Sequence, residues 1–187
     1  MASDRVVTVP NLLSLARLVL AVVFFVAVER GWPVAAFWLF VVAASTDWVD
    51  GWYARRFDQV SRLGRIFDPL VDKVIVCGAV VLLAAAGTAI APWMAVVVIV
   101  RELMVTAIRA EMEKAGRDFS AAFSGKLKMV LQCVAIGLVL AGRAWPEWQP
   151  GGIAIDRLAG GAAWAAVIAT IWSGLEYLIA ARTLVRR

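Results

Sequence analysis

The chain has 187 residues, 63% of them hydrophobic and only 18% charged, with a mean hydropathy of +0.82. A soluble domain is closer to about 45–50% apolar and about 25% charged, so a soluble enzyme, a secreted disulfide scaffold and a disordered chain are all excluded. The net charge of +5 reads, in so apolar a chain, as membrane topology and not as a nucleic-acid surface. Histidine is absent, which removes His-based catalysis and His-ligated metals. Cys77 and Cys133 sit inside apolar runs and read as inert thiols, not as a disulfide or a zinc site.

A helix that crosses a bilayer needs about 20 mostly apolar residues. Residues 12–28 form the first such run, interrupted only by Ser14 and Arg17. Asp4, and the lack of a small-residue cleavage site after Val28, argue against a signal peptide. Residues 34–46 form a second run that continues into a segment carrying Asp47 and Asp50, followed by a basic stretch over 55–65. Residues 74–100 contain no charge; Gly87, Thr88 and Pro92 supply a turn in the middle, giving helices over about 66–86 and 92–113. A fifth helix runs over about 120–142. Pro146, Pro150, Gly151 and Gly152 form a loop, and a sixth helix runs over about 154–182.

These elements predict an all-α integral membrane protein, a single domain over 1–187 with six transmembrane helices and both termini on one side. The charges agree. Of the 19 Lys and Arg, only Arg30, Arg143 and Arg157 fall on the opposite side, so the positive-inside rule places both termini and the 55–65 loop in the cytoplasm. Trp32, Trp93, Trp145 and Trp148 fall in or beside the outer loops, as an interfacial belt does.

Asp47, Asp50, Asp68 and Asp72 lie within or at the ends of these spans. A carboxylate at mid-membrane costs about 2.5–3.5 kcal/mol on the insertion scale, so each needs a polar cavity or a partner. Asp47, Asp50, Gly51 and Ala54 follow one helical stripe, and Asp68 and Asp72 share another face. Four clustered carboxylates repel, at about 4 kcal/mol per pair of charges 4 Å apart in an effective dielectric of 20. They therefore require positive charge among them. An all-oxygen donor set suits one or two ions of Mg²⁺, Mn²⁺ or Ca²⁺, and two ions with open positions can clamp a diphosphate. The plainer alternative is ion pairing with Arg55, Arg56, Arg62 and Arg65. A cation pathway would spread its carboxylates through the membrane depth, whereas these gather at one face.

The segment reads Asp47-x2-Asp50-Gly51-x2-Ala54-Arg55-x8-Gly64-x3-Asp68-x3-Asp72. It resembles the signature of the CDP-alcohol phosphatidyltransferase family at every fixed position and gap. The resemblance implies six membrane helices, a homodimer, and two divalent ions, Mg²⁺ or Mn²⁺, at the cytoplasmic side of the bacterial inner membrane. It implies transfer of a phosphatidyl group from CDP-diacylglycerol to an alcohol, with release of CMP. By the same resemblance Asp47, Asp50, Asp68 and Asp72 are the metal ligands. Asp72 is also the base that takes the acceptor's proton. Asp47, Gly51, Ala54, Arg55 and Gly64 contribute to the CDP site.

The acceptor is read from looser signals. Pro10-Asn11-Leu12-Leu13-Ser14 with Arg17, then Arg101-Glu102, Arg109 and Gly125-Lys126-x-Lys128, resemble the branch of the family whose acceptor is sn-glycerol 3-phosphate. Arg101 and Arg109 are eight apart and share a helix face. A phosphorylated acceptor is an anion that such donors suit, so Arg17, Arg101, Arg109 and Lys126 are its expected partners. Serine, an inositol phosphate or a phosphatidyl lipid remain the alternative acceptors. Lys114 and Arg117 read as snorkelling cations at the head groups. Trp48 and Trp52 read as packing or lipid-facing residues, and Glu176 is given no role.

Overall fold

The computed structural model describes residues 9–57, 64–114 and 123–185, with side chains described for 15–46, 71, 73–112 and 123–182. The described residues form six α-helices: α1 (Val9–Glu29), α2 (Pro33–Phe57), α3 (Gly64–Ala85), α4 (Pro92–Lys114), α5 (Phe123–Ala144) and α6 (Ile155–Val185). Among the described residues there is no strand. The expected all-α, six-helix plan holds, with small shifts at the helix ends. α2 is one continuous helix, so the apolar run and the Asp47–Asp50 segment after it belong to the same rod.

The helix ends follow from local chemistry. Pro33 and Pro92 open α2 and α4, where a missing N–H costs nothing. Two helices stop at glycines with positive φ, Gly31 (66°) and Gly87 (67°). At the first, Gly31 N donates to Val28 O (3.2 Å) and Trp32 N to Ala27 O (2.9 Å). At the second, Gly87 N donates to Ala84 O (3.1 Å) and Thr88 N to Leu83 O (3.4 Å). Both are Schellman closures, which satisfy the last carbonyls and need a left-handed residue. A short 3-10 turn, Pro150–Gly152, lies in the loop before α6.

α1 packs on α2 and α3, α2 on α5, α5 on α6, α6 on α4, and α4 on α3. The neighbour order α1–α2–α5–α6–α4–α3 thus closes on itself, and α3 also touches α5 across the ring. Phe24, Leu83, Ile136 and Leu140 are fully buried at its centre, surrounded by Ala21, Ala36, Ala43, Ala79 and Ala163. Small side chains let neighbouring helices approach closely.

The outward surface is apolar. Val19 and Val22 on α1, Trp38 and Val42 on α2, Val96 and Leu103 on α4, and Ile168, Trp172 and Ile179 on α6 are all exposed. Among the described residues two helices, Phe123–Ala144 and Ile155–Arg182, are long and apolar enough to cross a membrane. Trp32, Trp93, Trp145 and Trp148 are exposed near the α1–α2, α3–α4 and α5–α6 connections. Trp93 packs against Trp164, and Trp145 meets Phe37 edge-on at 5.1 Å. Cys77 and Cys133 are half-buried and unbridged.

Candidate active site

The chain's alternation places the end of α2, the start of α3, the end of α4, the start of α5 and the end of α6 at the end of the bundle away from those tryptophans. A cavity of about 290 Å³ opens there between α3, α4, α5 and α6. Five cationic residues line it: Lys73, Arg101, Arg109, Lys126 and Lys128. Glu102 is the one acidic residue in the described lining.

Lys73, Arg101, Arg109 and Lys128 are each held by a neighbouring helix. Arg101 and Arg109 project from α4 to the Tyr177 ring of α6, with guanidinium carbons 5.6 and 5.5 Å from its centroid. That is cation–π distance, and it confirms that the eight-residue spacing puts both arginines on one face. Arg109 Nη2 donates to Tyr177 Oη at 3.0 Å. Arg101 Nη2 donates to Ser173 Oγ at 2.5 Å, and its Nη1 to Glu102 Oε1 at 3.2 Å. Gly174 faces this contact, and a Cβ there would lie a tight 3.3 Å from Arg101 Cγ.

Lys128 Nζ also donates to Glu102 Oε1, so one carboxylate oxygen serves two cations. Arg101, Glu102 and Lys128 are all buried. Lys73 Nζ donates to Thr106 Oγ1, which itself donates to the Glu102 carbonyl at 2.6 Å. Gln132, on the cavity floor, donates to Thr170 Oγ1 at 3.0 Å. The Nε atoms of Arg101 and Arg109 are buried with no hydrogen-bond partner. Unmet donors of this kind carry a desolvation cost until an acceptor reaches them, and here they belong to a basic cavity.

Of the residues expected to bind an acceptor phosphate, the structure brings Arg101, Arg109 and Lys126 to one cavity. Arg17 is buried on α1 and is not in its described lining. Sequence reasoning gave no role to Lys73, Thr106, Ser173 or Tyr177. Lys128 it placed beside Lys126 among the cations that suit a phosphorylated acceptor, and Glu102 it saw only as the neighbour of Arg101. The adjacency of Glu102 to Arg101 was a signal; nothing in the chain marks Tyr177, 68 residues from Arg109. Glu176 is exposed and accepts a hydrogen bond from Trp172 Nε1 at 2.8 Å.

Asp47, Asp50, Gly51, Ala54 and Arg55 occupy the last turns of α2, while Gly64, Asp68 and Asp72 occupy the first turns of α3. Their side chains lie outside the described ones. Among the described residues no group of three or more His, Cys, Asp or Glu is placed to hold a metal. The donor set itself is consistent with a hard divalent cation. It is carboxylate only, and both pairs fall at helical spacings that share a face. Lys73, directly after Asp72 on α3, ties this aspartate-bearing end to the basic cavity.

An all-helical bundle with a carboxylate-bearing helix end beside a basic cavity has the parts of an enzyme acting on phosphate esters. The chain belongs to the CDP-alcohol phosphatidyltransferase family, whose model matches residues 7–172, and it is a transferase. Proteins named CDP-diacylglycerol–glycerol-3-phosphate 3-phosphatidyltransferase from Escherichia coli, Shigella flexneri serotype 5b and Shigella boydii serotype 4 are similar to it. Each is 38% identical over 183 residues, covering 93% of this chain and 94% of the relative.

Proposed function

We propose that this protein transfers the phosphatidyl group of CDP-diacylglycerol to sn-glycerol 3-phosphate, yielding phosphatidylglycerophosphate and CMP. The observation that carries the reading is the cavity with Arg101, Arg109 and Lys126 converging beside Asp72's helix. A phosphorylated acceptor is the ligand such a cavity suits, and the names of the relatives supply the particular acceptor. Arg17 is assigned to the acceptor phosphate on the resemblance alone.

In this reading Asp47, Asp50, Asp68 and Asp72 hold divalent ions, Mg²⁺ or Mn²⁺ and two in number. Bound there, such ions would neutralise the diphosphate and ease departure of CMP. Asp47, Gly51, Ala54, Arg55 and Gly64 form the CDP site. Arg101, Arg109 and Lys126 hold the acceptor's phosphate so that its free hydroxyl faces the phosphatidyl phosphorus. Asp72 takes the hydroxyl proton as the new P–O bond forms and the bond to CMP breaks. Orientation of this kind replaces a bimolecular encounter with a positioned one.

The whole of 1–187 is one membrane domain in this reading, multi-pass in the bacterial inner membrane, with the active site and both termini facing the cytoplasm. The exposed valines, leucines and tryptophans then meet lipid, and the diacyl tails stay in the bilayer during reaction. The working unit, by the family resemblance, is a homodimer.

CMP release by the purified protein in detergent, with CDP-diacylglycerol, Mg²⁺ or Mn²⁺ and each acceptor in turn, tests the reading. Turnover with sn-glycerol 3-phosphate and not with serine or inositol phosphate is expected. Turnover only with an unphosphorylated alcohol would overturn the role of the basic cavity.

A further inference from the structure

Glu102 is costly where it stands. It is a buried carboxylate in the lining of a cavity meant, on the reading above, for another anion. A cavity with five cationic residues and no internal anion would grip a phosphate very tightly. The acceptor's phosphate is retained in the product, so the same grip would delay product release. Glu102 Oε1 takes up Lys128 Nζ and Arg101 Nη1 together, while Ser173 takes Arg101 Nη2. The cavity cations that meet no internal anion are Lys126, Lys73, whose Nζ donates to the neutral Thr106 hydroxyl, and Arg109, whose Nη2 donates to Tyr177 Oη.

We propose that Glu102 is an affinity-setting residue, an internal anion that competes with the acceptor's phosphate for Lys128 and Arg101 and so keeps the phosphorylated product releasable. The proposal rests on the assignment of the basic cavity to the acceptor. It differs in sign from the simpler role of a staple between α4 and α5. Losing a staple loosens the cavity and weakens anion binding. Losing a competitor frees two cations and strengthens it.

The test uses inorganic phosphate as a competitive inhibitor against sn-glycerol 3-phosphate, in the purified full chain. Glu102→Gln keeps the shape and an acceptor oxygen but removes the charge. The inhibition constant for phosphate and the KM for sn-glycerol 3-phosphate should both fall at least ten-fold, and kcat should fall as release slows. A rise in either constant, or no change, overturns the proposal. Should Lys128 left without its carboxylate prevent folding, Glu102→Gln with Lys128→Met removes the ion pair together and still takes the negative charge away from Arg101 Nη1. Phosphate inhibition should then still tighten, by about three-fold; unchanged or weaker inhibition counts against the idea. Arg109→Gln separates this from the reading it rests on. If that variant leaves both constants unchanged, the cavity is not the acceptor site and both fall. If it raises them while Glu102→Gln fails to lower them, only the role of Glu102 falls.

Discussion

Arg109 shows how one side chain is prepared for an anion. Its Nη2 donates to Tyr177 Oη and its guanidinium carbon lies 5.5 Å from the Tyr177 ring centroid, two contacts that hold the guanidinium and leave Nε unpaired. Hydrogen bonds to charged groups contribute about 1.5–3 kcal/mol, so Arg109→Gln should raise the KM for sn-glycerol 3-phosphate roughly ten- to hundred-fold, with a smaller effect on kcat. Initial-rate kinetics over a range of acceptor concentrations measure this. Asp72→Asn bears on the proton instead. Loss of a positioned base typically costs about 10²–10⁴-fold, so CMP release should fall by that much while the variant's thermal unfolding matches the parent. Wild-type turnover in Asp72→Asn would remove the base from the mechanism. Both arginines of α4 were legible from their spacing, because a helix repeats its faces. Tyr177, which sets their geometry, was not, because contact between α4 and α6 is a property of packing and leaves no mark on local sequence.

At the scale of the helix, the boundaries came largely from punctuation. Gly87, Thr88 and Pro92 divided one long apolar run into α3 and α4, and the Schellman bonds at Gly87 show why. Packing between helices rests on small residues at defined places. A Cβ on Gly78 of α3 would collide with the Phe25 ring of α1. Gly78→Ala should therefore destabilise the bundle by about 1–3 kcal/mol through overpacking. Adding Phe25→Leu should recover part of that loss, and thermal unfolding in detergent of the two single variants and the pair would show it. Additive losses in the double variant would mean that the two residues do not share a contact. The sequence carried no hint of this pairing. A glycine inside an apolar helix has several possible uses, and only the partner decides among them.

For the whole molecule, the closed ring of six helices turns its small and aromatic core inward and an apolar face outward. The proposed topology predicts that a cysteine at Gln149, in the α5–α6 loop, reacts with an impermeant maleimide added to intact cells. A cysteine at Arg182, near the end of α6, should react only after the membrane is opened. Both belong in a Cys77→Ala, Cys133→Ala background, and the reverse labelling pattern would invert the orientation. Chelation by EDTA should abolish CMP release, and Mg²⁺ or Mn²⁺ should restore it; full activity in EDTA would leave the aspartates as ion pairs.

The amino-acid sequence by itself determined the helical class, the six elements and the family, since hydropathy, glycine and proline punctuation and a spaced aspartate signature are all local properties of the chain. It also brought Arg101, Arg109 and Lys126 forward as a set. What only the tertiary structure decided is how that set is built. Glu102 shares one oxygen between Arg101 and Lys128, Thr106 holds Lys73, and the Tyr177 ring meets both arginines. Arg17, named with them from the sequence, stands on α1, outside the described lining of the cavity. These facts depend on which helices are neighbours. That order is settled by side-chain packing around the whole ring, a sum over distant residues that no window of sequence contains.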